Sequence, residues 1–358
     1  MKIDVPSTEP ERRRQSLPVL PSSAPVLRDG HARRVTYLRV SLTDACNFRC
    51  AYCMPADGWS TSPKAELLSG NELVELVAIF VDLGVRRARL TGGEPLVRRG
   101  VVSVVERLAS LSGLEELVLT TNGHLLPGLA GPLKAAGLSG LNVSLDSLSS
   151  ERFGRLTRGG DLDTVLRGLR AADAAGFRGT KLNAVVVRGE NDDELPELCE
   201  FAWREGYLPR FIELMPIGRL EFATQAHVVG TNEMLARLQE RFHLLPDGDA
   251  CDGKPRGPAR YWTVGEGKWV GRRLGFISPM SDDGFCDACN RARLTSQGGF
   301  RPCLGSDDEV SLRDALRGGA TREVLVDLIR GALAGKRAAH NMHDGAGAPR
   351  DAMTGIGG

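Results

Sequence analysis

The chain has 358 residues, 42% hydrophobic and 25% charged, a composition that suits about two folded units with a substantial core. Its 46 Lys and Arg against 45 Asp and Glu leave a formal charge of +1, so no global field points to nucleic acid or a membrane surface. No uninterrupted apolar run reaches the roughly eighteen residues of a membrane span.

Residues 1–34 read as a flexible extension. They carry Arg12-Arg13-Arg14 and then "SLPVLPSSAPVL", where Pro18, Pro21 and Pro25 break any signal-peptide core. The first strand is "TYLRVSL" (36–42), followed by a cysteine-rich loop. A helix lies in "SGNELVELVAIFVDLG" (69–84), with Ser69 and Glu72 at capping-box spacing, Leu73, Val77 and Phe80 on one face, and Gly84 at its end. Then come "VRRARLT", a helix over 101–111, "LEELVLTT", a short helix ending at Gly137, and "LNVSL". A helix over 164–175 stopped by Gly176, "KLNAVVV", a helix over 193–205 and "PRFIEL" complete the series, with a further helix over 231–242.

Six strand–helix units at spacings of roughly thirty residues predict a parallel sheet with crossover helices. Six is too few for a closed eight-stranded barrel, so the expected α/β fold is a partial (βα)6 TIM-like barrel over 35–245. The Gly- and Pro-rich loop "PDGDACDGKPRGPAR" marks a boundary near residue 246. Residues 246–358 read as a smaller α+β unit. It holds strands in "RYWTVG" and "KWVGRRLGFIS", a second cysteine group, helices over 309–317 and 321–334, and a glycine-rich end.

In parallel α/β sheets ligands gather at the carboxyl ends of the strands. Here those ends run into the cysteine loop, "TGGEP" (91–95), "TTNG" (120–123), Ser144 with Asp146, and Glu213 with Met215; Lys181 and Asn183 lie in the fifth strand. Each alone is a turn, a solvated strand end or core filler. Their shared position on one rim is the signal.

Eight cysteines could form four disulfides, but six sit in two trios at metal-ligand spacing, which favours metal binding in a reducing cytoplasm. "CNFRCAYC" supplies Cys46, Cys50 and Cys53, one short of a tetrahedral zinc site. Three soft thiolates suit a [4Fe–4S] cluster with one iron open to a small molecule, or a zinc site completed from elsewhere; spacing alone does not decide. Cys286, Cys289 and Cys303 repeat the arithmetic, with Cys251 available to complete a zinc ribbon. Arg291 and Arg293 lie between the last two. In an extended stretch they project to one face, where paired guanidiniums suit a phosphate. Cys199 reads as a core thiol, and His340 and His343 as parts of a solvated tail. No P-loop pattern occurs.

Cys46-x3-Cys50-x2-Cys53, with the aromatic Tyr52 before the last cysteine, resembles the motif of the radical S-adenosylmethionine (SAM) superfamily, whose fold is the partial barrel inferred above. "TGGEP" resembles that superfamily's glycine-rich segment. With Cys286-x2-Cys289-x13-Cys303 enclosing "RAR", the chain from about residue 35 to Gly357-Gly358 resembles the GTP 3′,8-cyclases. The resemblance implies two [4Fe–4S] clusters, the first chelating SAM and the second holding guanine. It implies SAM contacts at Tyr52, Gly93, Glu94, Ser144 and Met215, and GTP contacts at Arg39, Arg89, Thr120, Lys181, Arg210, Arg291 and Arg293. It further implies one-electron cleavage of SAM to a 5′-deoxyadenosyl radical, removal of the ribose 3′ hydrogen and attack of C3′ on C8. The implied product is (8S)-3′,8-cyclo-7,8-dihydroguanosine 5′-triphosphate, in the first step of molybdenum cofactor biosynthesis. Implied partners are flavodoxin or ferredoxin as electron donor and the next enzyme, cyclic pyranopterin monophosphate synthase, with the chain a monomer or homodimer. The competing readings are a radical SAM peptide maturase and a zinc-stabilised binding module. Three departures from the family pattern stand out: the N-terminal extension, His124, and "HNMHDGAG" before the tail.

Overall fold

The computed structural model describes residues 26–58, 60–217, 222, 224–247, 257–342 and 353–355. Most of the expected extension, Cys251, His343 and Gly357-Gly358 lie outside the described residues.

The six expected units are built from β1 (Tyr37–Ser41), α1 (Gly70–Asp82), β2 (Arg87–Thr91), α2 (Val101–Ala109), β3 (Glu116–Thr121), α3 (Leu126–Ala135), β4 (Gly140–Ser144), α4 (Ser150–Thr157), α5 (Leu162–Ala174), β5 (Lys181–Val186), α6 (Leu195–Arg204) and β6 (Leu208–Glu213). After them come α7 (Thr231–Gln239), β7 (Leu244–Pro246), β8 (Arg260–Val264), β9 (Arg273–Ile277), β10 (Arg291–Leu294), β11 (Gly299–Arg301), β12 (Val310–Ser311), α8 (Leu312–Arg317) and α9 (Arg322–Ala334).

Local chemistry explains the boundaries. At the start of α1 the Ser69 hydroxyl accepts from the Glu72 N–H while the Glu72 carboxylate accepts from the Ser69 N–H, the capping box expected from the sequence. Leu73, Leu76, Val77 and Phe80 then bury one stripe of that helix. α4 was not foreseen, because its charged residues hide its short apolar stripe. Ser149 caps it, and Phe153 and Leu156 are buried beneath it.

The strands form one open sheet in the order β12-β11-β10-β1-β2-β3-β4-β5-β6-β9-β8-β7. β1 to β6 are parallel in chain order, which gives the partial barrel. β10 joins parallel to β1, and β9 joins parallel to β6, so strands from beyond residue 246 extend both sides of that barrel. The antiparallel pairs β11–β12 and β8–β7 finish the edges. The segment between β9 and β10 therefore leads from one end of the parallel run to the other, and it carries Cys286 and Cys289.

A large apolar core fills the space between sheet and helices. A smaller cluster of Ile217, Met280 and Met342, with Met215, Leu304 and Met353 packed on it, sits apart. Polar groups inside the fold are tied down. Asn191 is fully buried; its Nδ2 donates to the carbonyls of Asp146 (2.8 Å) and Val185 (2.9 Å), and its Oδ1 accepts from the Val187 N–H (2.8 Å). One amide thus fixes the carboxyl ends of β4 and β5 together. Asn191→Ala removes the partner of three backbone groups, two of them buried and one half-buried, and is expected to lower the unfolding free energy by about 3 kcal/mol, read as a lower urea midpoint.

Candidate functional site

Alternate residues of a strand share a face. On β1 these include Tyr37 and Arg39, and the register sets Arg39 opposite Arg293 of β10 on one side and Arg89 of β2 on the other. Three guanidiniums therefore stand in a row across three adjacent strands, all on the wall of one cavity. Like charges directly across strands repel, and burial compounds the cost. Burial, then Arg293 and Arg89, hold Arg39 well below the ordinary arginine range. Burial, then Arg291, pushes Arg293 down to about 10. Nε of Arg89 and Nη1 of Arg293 are buried with no hydrogen-bond partner among the described residues. What partly offsets this is aromatic: Arg89 lies over the Tyr37 ring at 5.3 Å, and Arg291 over Phe285 at 5.2 Å. Such a row has the charge and the donors to bind a polyanion.

The two cysteine trios flank the row. The first follows the carboxyl end of β1, while Cys286 and Cys289 precede the amino end of β10, whose Arg291 is level with Tyr37. Because the strands are parallel, the trios lie toward opposite ends of a strand pair roughly 16 Å long. All six cysteines line the same cavity.

The first cysteine loop rests on two supports. The last carbonyls of α4 accept from it: Thr157 O from the Arg49 N–H and Leu156 O from the Ala51 N–H, each at 2.9 Å. "TGGEP" forms the other side, with the Gly93 N–H on Thr43 O and the Glu94 N–H on Ala45 O, both 2.8 Å. A Cβ on Gly92 would stand 2.3 Å from Thr43 O, and one on Gly93 2.4 Å from Ala45 O. Glycine is needed there because backbone meets backbone just before Cys46, as well as facing the cavity.

Glu94 is buried and accepts from the Leu96 N–H (3.0 Å), the Thr121 hydroxyl (2.8 Å) and the Asn122 N–H (2.7 Å), knitting the ends of β2 and β3. Burial outweighs these bonds and pushes its carboxyl up to about 7. Tyr52 donates to Asp146 at 2.5 Å, and Asp146 also accepts from the Val185 N–H. Burial raises Asp146 to about 6. Thr120, Ser144 and Met215 complete the expected set on the wall, joined by Met353 and Thr354 of the tail.

Two expected residues stand differently. Arg210 is fully buried on the same inward face as Asn183, its register partner, donating from Nε to Asn183 Oδ1 (3.0 Å) and from Nη2 to Asn142 Oδ1 (2.6 Å). Lys181 starts β5 on the face that carries Asn183 and Val185, and the cavity lining includes those two but neither Lys181 nor Arg210. Sequence reasoning missed Asn142, although it alternates with Ser144 in "LNVSL"; period two was the available sign. It also missed Phe285 and Lys336, for which no local pattern exists.

The thiols divide by environment. Burial pushes Cys46 up to about 11 and Cys53 to about 12, and Cys50 well above the usual thiol range. Cys289 goes the other way: burial opposes it, but Arg291 and Lys336 bring it down to about 7. Among the described residues, no three His, Cys, Asp or Glu side chains converge on a point fit for a single ion.

Comparison with known proteins gives consistent matches. The Radical SAM superfamily signature matches residues 40–202, and Molybdenum Cofactor Synthesis C matches 209–342. A GTP 3′,8-cyclase of Pseudomonas syringae pv. syringae is 46% identical over 325 residues, spanning 90% of this chain and 96% of the relative. One from Pseudomonas entomophila is 49% identical over 292 residues, spanning 81% and 85%. Among solved structures, SuiB of Streptococcus suis bound to precursor peptide SuiA aligns with a TM-score of 0.58 at 13% identity, covering 86% of this chain and 69% of that one. At that identity the likeness shows the fold alone.

The Glu94 environment has a measurable consequence. The folded protein keeps that proton up to about pH 7, whereas the unfolded chain releases it near 4.5, as an ordinary glutamate does. The folded state therefore binds more protons in between, and the stability tied to Glu94 is lost as pH rises through that window. Relative to Glu94→Gln, the SAM-free wild type is expected to lose about 3 kcal/mol between about pH 4 and about pH 8 in urea unfolding; parallel curves would contradict the assignment.

Proposed function

The chain belongs to the GTP 3′,8-cyclase family of the radical SAM superfamily, and on that premise we propose how its cavity divides the work. The family activity is conversion of GTP to 3′,8-cyclo-7,8-dihydro-GTP, the first step of molybdenum cofactor biosynthesis. Curated relatives at this identity favour GTP chemistry over the peptide-maturase and zinc-module readings.

In this reading Cys46, Cys50 and Cys53 hold a [4Fe–4S] cluster with an iron left open for SAM. Cys286, Cys289 and Cys303 hold a second cluster, open to the guanine. The donor chemistry fits: three soft thiolates per site would suit an iron–sulfur cluster. When bound, cluster and SAM supply the one-electron chemistry that opens the reaction.

The protein's residues supply position. Gly93 and Glu94 face the SAM end of the cavity. Glu94 retains unused lone pairs beyond its three hydrogen bonds, which suits it to the SAM ammonium. Ser144 is placed for the SAM ribose, and Tyr52 and Met215 border the adenine. The Tyr52–Asp146 bond holds the cysteine loop against β4. Arg291, Arg293, Arg39 and Arg89, with Thr120, hold the triphosphate between the trios, and a ribose held there is within reach of the SAM end. Arg210 supports the wall through Asn142 and Asn183, and Lys181 adds positive charge at the far end of β5.

The single observation that carries this reading is the row Arg293–Arg39–Arg89 lying between two cysteine trios in one cavity. The chemistry also calls for a low-potential donor such as flavodoxin or ferredoxin, and for cyclic pyranopterin monophosphate synthase to consume the product. Free cysteines suit a reducing cytoplasm, with the chain acting as a monomer or homodimer. Among the described residues no helix is long and apolar enough to cross a membrane.

Two experiments test the assignment. Cys286→Ser is expected to lower the iron content of anaerobically reconstituted protein from about eight to about four per chain. It should abolish cyclization while SAM cleavage persists; cyclization at the wild-type rate would refute a substrate-holding second cluster. Arg293→Ala removes charge-assisted hydrogen bonds worth about 1.5–3 kcal/mol, so the GTP KM should rise tenfold or more with SAM affinity unchanged. An unchanged KM would contradict the clamp.

A further inference from the structure

Lys336 is only 5% exposed, although lysine is among the residues least often buried without a partner. It follows the end of α9, where a surface lysine would ordinarily extend its ammonium into water. Instead Nζ donates to Cys289 Sγ at 3.4 Å and to the Arg291 carbonyl at 2.8 Å. Among the described residues no carboxylate pairs with it, and its partners are the Cys289 sulfur and the Arg291 carbonyl. Lys336 is absent from the wall of the large cavity and lines a second one with Cys303, Ser306 and Asp308. It therefore reaches the cysteine from behind, away from the substrate.

Its approach is fixed by a clamp from the start of the described chain. Arg33 pairs with the buried Asp29 at 2.6 Å. The same guanidinium donates to the carbonyls of Arg337 (2.6 Å), Ala338 (2.6 Å) and Cys286 (2.8 Å). One side chain thus ties the residues after Lys336 to the loop that carries Cys286 and Cys289.

We propose that Lys336 sets the reduction potential of the cluster held by Cys286, Cys289 and Cys303, by presenting a buried cation to the Cys289 sulfur. This rests on the two-cluster reading above. A cluster's potential follows its local charge and the hydrogen bonds to its sulfurs. A positively charged donor on a ligand sulfur favours the more negative, reduced state and raises the potential. Lys336 is a positioning and tuning residue, since it touches a ligand rather than the substrate.

The test is a redox titration of anaerobically reconstituted protein, following both clusters by electron paramagnetic resonance. In Lys336→Met the ratio of reduced to oxidised second cluster at a fixed potential should fall tenfold or more, equivalent to 59 mV for a one-electron couple. Lys336→Arg should stay within about threefold of wild type, and the first cluster should not move in either variant. Lys336→Gln keeps an N–H donor without the charge; it should fall between the two, and it carries the test if the Met variant sheds its second cluster. A second-cluster ratio within twofold of wild type in the Gln and Met variants overturns the proposal. Loss of that cluster from both, with the first retained, also overturns it, making Lys336 a structural support. Wild-type protein with about four irons and one signal would instead remove the two-cluster reading before any variant is compared.

Discussion

Arg293, Arg39 and Arg89 repel one another across β10, β1 and β2, and the barrel buries them side by side. A fold selected for stability alone would place apolar residues at these positions, as their neighbours Leu38, Ala88 and Ala292 show on the opposite face. The repulsion is tolerated because a large core surrounds it and because the Tyr37 ring covers one of the three cations, Arg89, while Phe285 covers the neighbouring Arg291. Much of the site's architecture can be understood as the means of holding those three strands in register while leaving their inner face open.

The same strands position the two cysteine trios. β1 ends in the first cysteine loop, and β10 begins just after the second pair, so the register that aligns the arginines also fixes the two trios relative to each other. Elements outside this strand pair then lock each loop. α4 offers its terminal carbonyls to residues 49 and 51, "TGGEP" closes on residues 43 and 45, and Arg33 grips the peptide of Cys286. Polar hubs such as Glu94, Asp146 and Asn191 connect neighbouring strand ends, so the rim behaves as one connected piece.

The periodic elements were legible because each obeys a local rule. The capping box at Ser69 and Glu72 and the strands bounded by glycine can be read without any tertiary information. "CNFRCAYC" and "TGGEP" were legible for a different reason: each pattern is compressed into a few consecutive residues. α4 escaped because only Phe153, Leu156 and Thr157 of its eight residues are buried, too few to show a period against its charges. Lys336 on Cys289 and Tyr52 on Asp146 were beyond reading, since each pair is joined by topology across 47 and 94 residues. The inward direction of Arg39 and Arg89 needed the register, which no single strand contains.

The outermost strands of the parallel run come from late in the chain. Asn290, beside β10, bonds Thr36, beside β1, across a separation of 254 residues. On the ribosome β1 therefore emerges early and keeps one bare hydrogen-bonding edge until nearly the whole polypeptide has been made, exposing a template for mispairing between nascent chains. C-terminal shortening before β10 would leave that edge uncovered for good.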